Sequence, residues 1–185
     1  MSMPDVRPRI IEQYAKWTAL SALRSGAPIK SRRDVYTAFC HVDFIPLFDK
    51  ALGPIRADEF NPWHALAVAN LLAHDSRLTV GWASKILNVY LKTRCYVGSQ
   101  GRHDLIEAIH PPIDGGLWIG LRRHFGDRLD ILERSNCVER IKDIVEYDCY
   151  ERIIDGCRAA ANELKCRLIE VEQLWEGTEF GEASS

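Results

Sequence analysis

Apolar residues recur in this chain at helical spacing almost from end to end, and no alternating stretch is long enough to make a half-buried strand. That periodicity predicts an all-α fold, a compact multi-helix domain spanning residues 1–185. At 185 residues the chain is long enough to close one hydrophobic core without disulfide or metal staples. Its 46% hydrophobic and 27% charged content excludes a disordered, collagen-like or rod-like chain.

Proline, glycine and capping residues divide the pattern into elements. A first helix is expected near 7–24, with Ile10, Tyr14, Trp17 and either Leu20 or Ser21 on one face and a stop signal at Ser25, Gly26 and Pro28. A shorter helix follows at about 34–41, then one or two short turns around 47–52 between Pro46 and Gly53-Pro54. Asn61-Pro62 reads as an N-cap followed by proline at the first helical position, opening a helix that continues to about residue 74. Residues 74–81 interrupt the pattern and an apolar helix follows at about 82–91, which together make a helix, a short hairpin and a second helix. Further helices are expected around 104–109 and from an Asp114 N-cap to about residue 125. Helical periodicity dominates 136–175, where Asp148 and Gly156 mark a break or bend, giving two helices or one kinked one. The tail 177–185 is expected to fray.

The first residues, MSMPDVRPRI, lack the apolar run of a signal peptide, and no stretch approaches the roughly 18 apolar residues of a membrane span, so the expectation is a cytoplasmic protein without a membrane partner. Six cysteines are present and none forms C-x-x-C, which favours reduced, mostly buried thiols over a disulfide framework. Cys149, Cys157 and Cys166 match neither zinc-ribbon nor iron-sulfur spacing, and no Walker loop, dinucleotide glycine fingerprint, G-x-S-x-G elbow or H-E-x-x-H occurs. No metal and no cofactor is expected.

The formal net charge of −2 conceals an asymmetry. Residues 1–129 hold 17 Lys or Arg against 12 Asp or Glu, a net of +5, whereas residues 130–185 hold 7 against 14, a net of −7. Between Ser76 and His103 lie Arg77, Lys85, Lys92, Arg94 and Arg102 with no carboxylate at all. Such a segment favours a polyanion nearby, and it is equally the pattern of a solvated face. Arg122, Arg123 and Arg128 add a second basic group.

The chemistry-bearing pair is Lys85, in Val80-Gly81-Trp82-Ala83-Ser84-Lys85-Ile86, and Asp114, 29 positions later in Pro111-Pro112-Ile113-Asp114. A lysine in a small-residue run amid other cations has its ammonium form disfavoured, which suits an amine nucleophile. An aspartate at a helix N-terminus is held ionised, which suits a cationic sugar transition state. Each residue also has a plain structural use, Lys85 on a helix surface and Asp114 as an N-cap.

The helix, hairpin and second helix carrying Lys85, followed by a Pro-apolar-Asp motif about 30 positions on, resemble the helix-hairpin-helix DNA glycosylase superfamily, and most nearly its archaeal 8-oxoguanine DNA glycosylase/lyase branch. The resemblance covers about residues 60–125. The Leu-Pro-Gly-apolar-Gly hairpin of commoner members is replaced here by Ser76-Arg77-Leu78-Thr79-Val80-Gly81, Asp114 is followed by Gly115-Gly116, and the iron-sulfur cysteines of the endonuclease branch are missing. The resemblance implies a DNA-repair N-glycosylase with AP-lyase activity. Lys85 is then the Schiff-base nucleophile, and Asp114 assists proton transfers and stabilises the oxocarbenium-like sugar. DNA carrying a flipped 8-oxoguanine-like base is the implied partner, with no obligate protein partner expected. Trp82, Trp118 and His110 are candidates for contacting the base, and Arg77, Lys92, Arg94 and Arg102 for holding phosphates. Two rivals stand beside it: a non-catalytic helix-hairpin-helix module for nucleic acid or protein interaction, and an N-glycosidase acting on nucleotides or RNA.

Overall fold

The computed structural model describes residues 5–23 and 26–176, and among these every regular element is helical. The α-helices are α1 (Arg7–Ser21), α2 (Arg32–Phe39), α3 (Ile45–Phe48), α4 (Ala57–His74), α5 (Val80–Leu91), α6 (Leu105–Ala108), α7 (Gly115–His124), α8 (Leu129–Ser135) and α9 (Tyr147–Leu164). Short 3₁₀ turns cover Lys50–Leu52, Ile141–Asp143 and Leu168–Leu174, and α5 runs on into a π-helical turn, Lys92–Val97. The expected fraying of residues 177–185, and the stop signal at Ser25, lie outside the described residues. No described helix is long and apolar enough to cross a membrane.

Helix α5 is the axis of the domain because it is apolar on every side, and all twelve of its residues are buried. Helices α1, α4 and α9 and the 141–143 turn pack around it. Its start is capped by Thr79, whose hydroxyl accepts from the Trp82 N–H at 3.5 Å, and the Gly81 N–H donates to the Ile144 carbonyl at 3.0 Å. The Gly81 amide is therefore used inside the fold and is not presented to a phosphate. Three polar side chains of α5, Ser84, Lys85 and Asn88, are buried with it. For Lys85 and Asn88 the surrounding elements supply partners, and those partners define the polar regions of the protein.

Several elements differ from the periodicity reading, each for a packing reason. Helix α1 turns Ile10, Tyr14 and Trp17 outward and buries Ala15 and Ala19 instead. Small side chains let it lie close against α5, and the Thr18 hydroxyl meets that of Thr93, on the π turn that continues α5, at 2.8 Å. Helix α4 begins at Ala57, one turn before Asn61-Pro62, so that Pro62 lies inside it. The early start follows from the entering chain: Ile55 N–H donates to the His103 carbonyl, and Arg56 is extended ahead of the first turn. Helix α9 runs unbroken through Gly156, which is the point of closest approach to α8, since a methyl there would meet the Ser135 backbone. The break expected near Asp148 is the start of α9 at Tyr147, since 136–146 holds only the 141–143 turn and no α-helix, and a second break falls at Lys165, whose left-handed backbone (φ 55°) ends α9 and turns the chain into 168–176.

That last segment, a C-terminal strap, crosses the front of α7. Arg167 fastens its start to Glu107 of α6 at 2.6 Å, and at its end the Glu176 N–H donates to the Gly116 carbonyl at 3.2 Å. Gly116 and Gly120 on one face of α7 make this seat, because a methyl at Gly120 would fall onto the Leu174 carbonyl and one at Gly116 onto the Trp175 indole. Alanine is intrinsically better than glycine in a helix by about 1 kcal/mol, so the packing clash and the propensity oppose each other. Gly120→Ala is expected to lower stability by about 1–3 kcal/mol, measured by urea denaturation, because the clash is with backbone that cannot rotate away. A neutral or stabilising result would mean that the strap is not seated there.

Candidate functional site

Helix α5 carries Lys85 into the interior with only 7% of its surface exposed, and a buried ammonium needs an anion. The N-terminus of α7 supplies it. Asp114 is the N-cap, its Oδ1 accepting from the Gly116 and Leu117 N–H groups at 3.0 and 3.2 Å, while its Oδ2 receives the Lys85 ammonium at 3.1 Å. Unpaired N–H groups and the dipole at a helix start favour a carboxylate in this position. The strap adds a fourth donor, the Trp175 indole N–H, at 2.9 Å from Oδ1. The Lys85 ammonium also lies 5.7 Å from the centroid of the Trp82 ring, a cation–π contact.

These groups open into a cleft of about 390 Å³, within the size range of ligand pockets. Lys85, Asp114, Lys92, Glu172 and Trp175 line it, together with the threonine hydroxyls at the α1–α5 contact. Lys92 and Glu172 form a second ion pair at 2.6 Å. Burial raises the Glu172 carboxyl above its ordinary range, and the charge of Asp114 adds to the shift, against the lowering effect of the Lys92 and Lys85 ammoniums. Glu172 and Trp175 had no signal in the local sequence, being 58 and 61 positions from Asp114. They reach the site only because the strap returns to α7.

Of the residues singled out from sequence, Lys85, Asp114 and Lys92 share this cleft. Trp82 is in contact with Lys85 but 93% covered. Trp118 is a core residue whose indole N–H donates to the Ser135 carbonyl at 2.7 Å, so it forms no wall of the cleft. The cations of 76–103 do not gather on one face. Arg77 is held by Asp75 at 2.6 Å and Asp34 at 3.2 Å. Arg94 lies over the Phe48 ring at 3.6 Å and donates to Gln100 and to the Tyr90 hydroxyl. Arg102 is buried and donates to the carbonyls of Pro46, Leu52, Gly53 and Pro54. In the second basic group, Arg123 pairs with Glu176, and Arg128 with Asp130 and Glu163.

His110 belongs to a separate buried network. His64 Nε2 faces Asn88 Oδ1 at 2.9 Å, Asn88 Nδ2 donates to the Tyr150 hydroxyl at 2.9 Å, and that hydroxyl faces His110 Nδ1 at 3.0 Å. His110 Nε2 ends the chain on Asn61 Oδ1 at 3.1 Å, and Tyr147 closes the other end on His64 Nδ1 at 2.8 Å. The bonds all run consistently when both imidazoles are neutral: each then donates from Nε2 to an amide oxygen and accepts at Nδ1 from a tyrosine. No family model, no curated protein and no solved structure matches the chain.

Burial lowers His64 to about 4 and His110 well below its ordinary value. In the unfolded chain both take up a proton as pH falls through about 6.5, while the folded protein does not, so acid favours unfolding. The stabilising contribution is full above that pH and is lost progressively toward the folded-state value. Between about pH 7 and 5, His64 alone is expected to remove on the order of 2 kcal/mol, visible as a falling Tm. Imidazole proton spectra check the cause: of the six histidines, the resonances assigned to His64 and His110 should stay constant over this range, and titration of either near 6.5 would refute it.

Proposed function

We propose that this chain is a DNA N-glycosylase with AP-lyase activity, acting on a damaged or modified base, 8-oxoguanine-like, flipped out of the duplex. The observation that carries the reading is the meeting of Lys85 Nζ and Asp114 Oδ2 at 3.1 Å in a base-sized cleft with a tryptophan at its edge. The Lys85 amine attacks the sugar C1′ as the C1′–N bond breaks, and the electron pair leaves with the base. Asp114 faces the cationic sugar. Its orientation is set by the three N–H donors on Oδ1, so its charge is in place before the reaction begins. Trp175 is the flat surface on which a flipped base stacks, the part that Trp82 and Trp118 were expected to play. The resulting imine makes the C2′ proton acidic, and its loss expels the 3′ phosphate, which is the lyase step.

A second reading, a non-catalytic nucleic-acid or protein-interaction module, is favoured on its protein-interaction side by one observation: Arg77, Lys92 and Arg102 all have intramolecular carboxylate partners, which leaves them less free to hold phosphates. The two are separated by borohydride trapping on duplexes carrying 8-oxoguanine, uracil or an abasic site. The wild type is expected to give a covalent adduct and Lys85→Gln none. Asp114→Asn is expected to slow adduct formation by about 10²-fold or more. A wild type that binds duplex but never traps would leave the second reading.

A further inference from the structure

The cleft holds two carboxylates in different surroundings, and the difference assigns them different tasks. Asp114 has both oxygens engaged, Oδ1 by three N–H groups and Oδ2 by the Lys85 ammonium. If it took the Lys85 proton, the negative charge would vanish at the moment the sugar becomes cationic. Another acceptor is needed, and the other carboxylate lining the cleft is Glu172, which accepts a hydrogen bond from Lys92 at 2.6 Å. Resting on the glycosylase reading, we infer that Glu172 is the proton acceptor that converts the Lys85 ammonium into the attacking amine, and that Asp114 stays charged for the sugar.

The charged groups facing Glu172 come from two elements besides its own strap. Lys85 lies on α5 and Lys92 on the π turn that continues it, and Asp114 stands at the head of α7. Burial makes Glu172 a stronger proton acceptor than a solvated glutamate, which brings it nearer to the value a base needs at neutral pH. Both groups line the same cleft, which gives the proton a route between them through water held there. One proton passes from Lys85 to Glu172; the amine forms the Nζ–C1′ bond while the C1′–N bond breaks; the departing base takes back the proton held on Glu172. Nζ then loses its second proton as the C1′–O4′ bond opens, O4′ gains one, and a protonated imine remains.

The test is the single-turnover rate of borohydride-trappable adduct formation on an 8-oxoguanine duplex, across about pH 5.5 to 9.5, with the full chain. In the wild type the rate is expected to fall on the acid side as Glu172 becomes protonated. Glu172→Gln keeps a hydrogen-bonding group for Lys92, and is expected to be slower by about 10²-fold near neutral pH. Its rate should then climb with pH until it converges with the wild type on the alkaline side, where solvent base frees the amine. Glu172→Asp, which keeps a carboxylate on a shorter arm, should retain the acid limb at a reduced rate, and serves also if the glutamine variant fails to fold. A Glu172→Gln profile matching the wild type, or lowered by one factor at every pH, overturns the inference while leaving the glycosylase reading intact. A wild type that gives no adduct on any of the three duplexes removes that reading, and the inference with it.

Discussion

The two oxygens of Asp114 satisfy three needs that arise in separate parts of the chain. A buried lysine on α5 requires an anion, the first turn of α7 has N–H groups with no helical acceptor, and the Trp175 indole needs a partner for its N–H. The first would be the costliest to leave unmet, because Lys85 is buried whereas Trp175 is exposed to water. Meeting them in one carboxylate couples the central helix, the helix behind it and the C-terminal strap, so the cleft is complete only when all three are in place. Loss of any one partner also weakens the other two, which is the non-additive behaviour expected of a shared hydrogen-bond network.

Close backbone approach makes the coupling geometrically possible. Alanines let α1 settle onto α5, Gly156 lets α8 settle onto α9, and Gly116 and Gly120 clear a seat for the strap. Behind this layer the histidine–tyrosine–asparagine network fills what would otherwise be an unsatisfied polar centre around Asn88. Asn88 and Lys85 are adjacent turns of the same buried helix. One meets a fully satisfied neutral network and the other a cleft, so the same element separates a structural polar region from one with room for a ligand.

The parts that local chemistry controls were legible in the sequence. Asp114 after Pro-Pro and before Gly-Gly-apolar is an N-cap by residue type, and the apolar run of α5 predicts its burial. The pairing of Lys85 with Asp114 rests on the chemistry of the two residue types, to which the resemblance adds their roles, since no helical period links positions 29 apart. On helix α1 the large residues Ile10, Tyr14 and Trp17 dominate the apolar pattern but are exposed, whereas close packing against α5 selects Ala15 and Ala19. The basic segment 76–103 looks uncompensated because its partners lie outside it, Asp75 immediately before it and Asp34 for Arg77 and the remote Glu172 for Lys92, or are backbone carbonyls, as for Arg102. Helix α8 escaped notice since it is seven residues long and its N-cap, Arg128, offers no side-chain cap. The strap residues that complete the site follow from tertiary return alone.

The pairing of charges in the cleft bears on what it can hold. Two ammoniums and two carboxylates cancel, so the cleft is not an anion trap and is better matched to a neutral, flat group than to a phosphate. On the proposed reaction, the positive charge beside Asp114 is given up by Lys85 and regained on the sugar. At rest it is the Lys85 ammonium; once that proton has crossed to Glu172 it is the sugar, drawn to the same oxygen. The resting ion pair therefore occupies the place of the transition-state pair, and the donors that hold Asp114 need not reorganise as the bond to the base breaks. In such a site the lysine restrains the carboxylate before it acts as the nucleophile, and the cost of burying its charge is recovered in the order of the electrostatics around it.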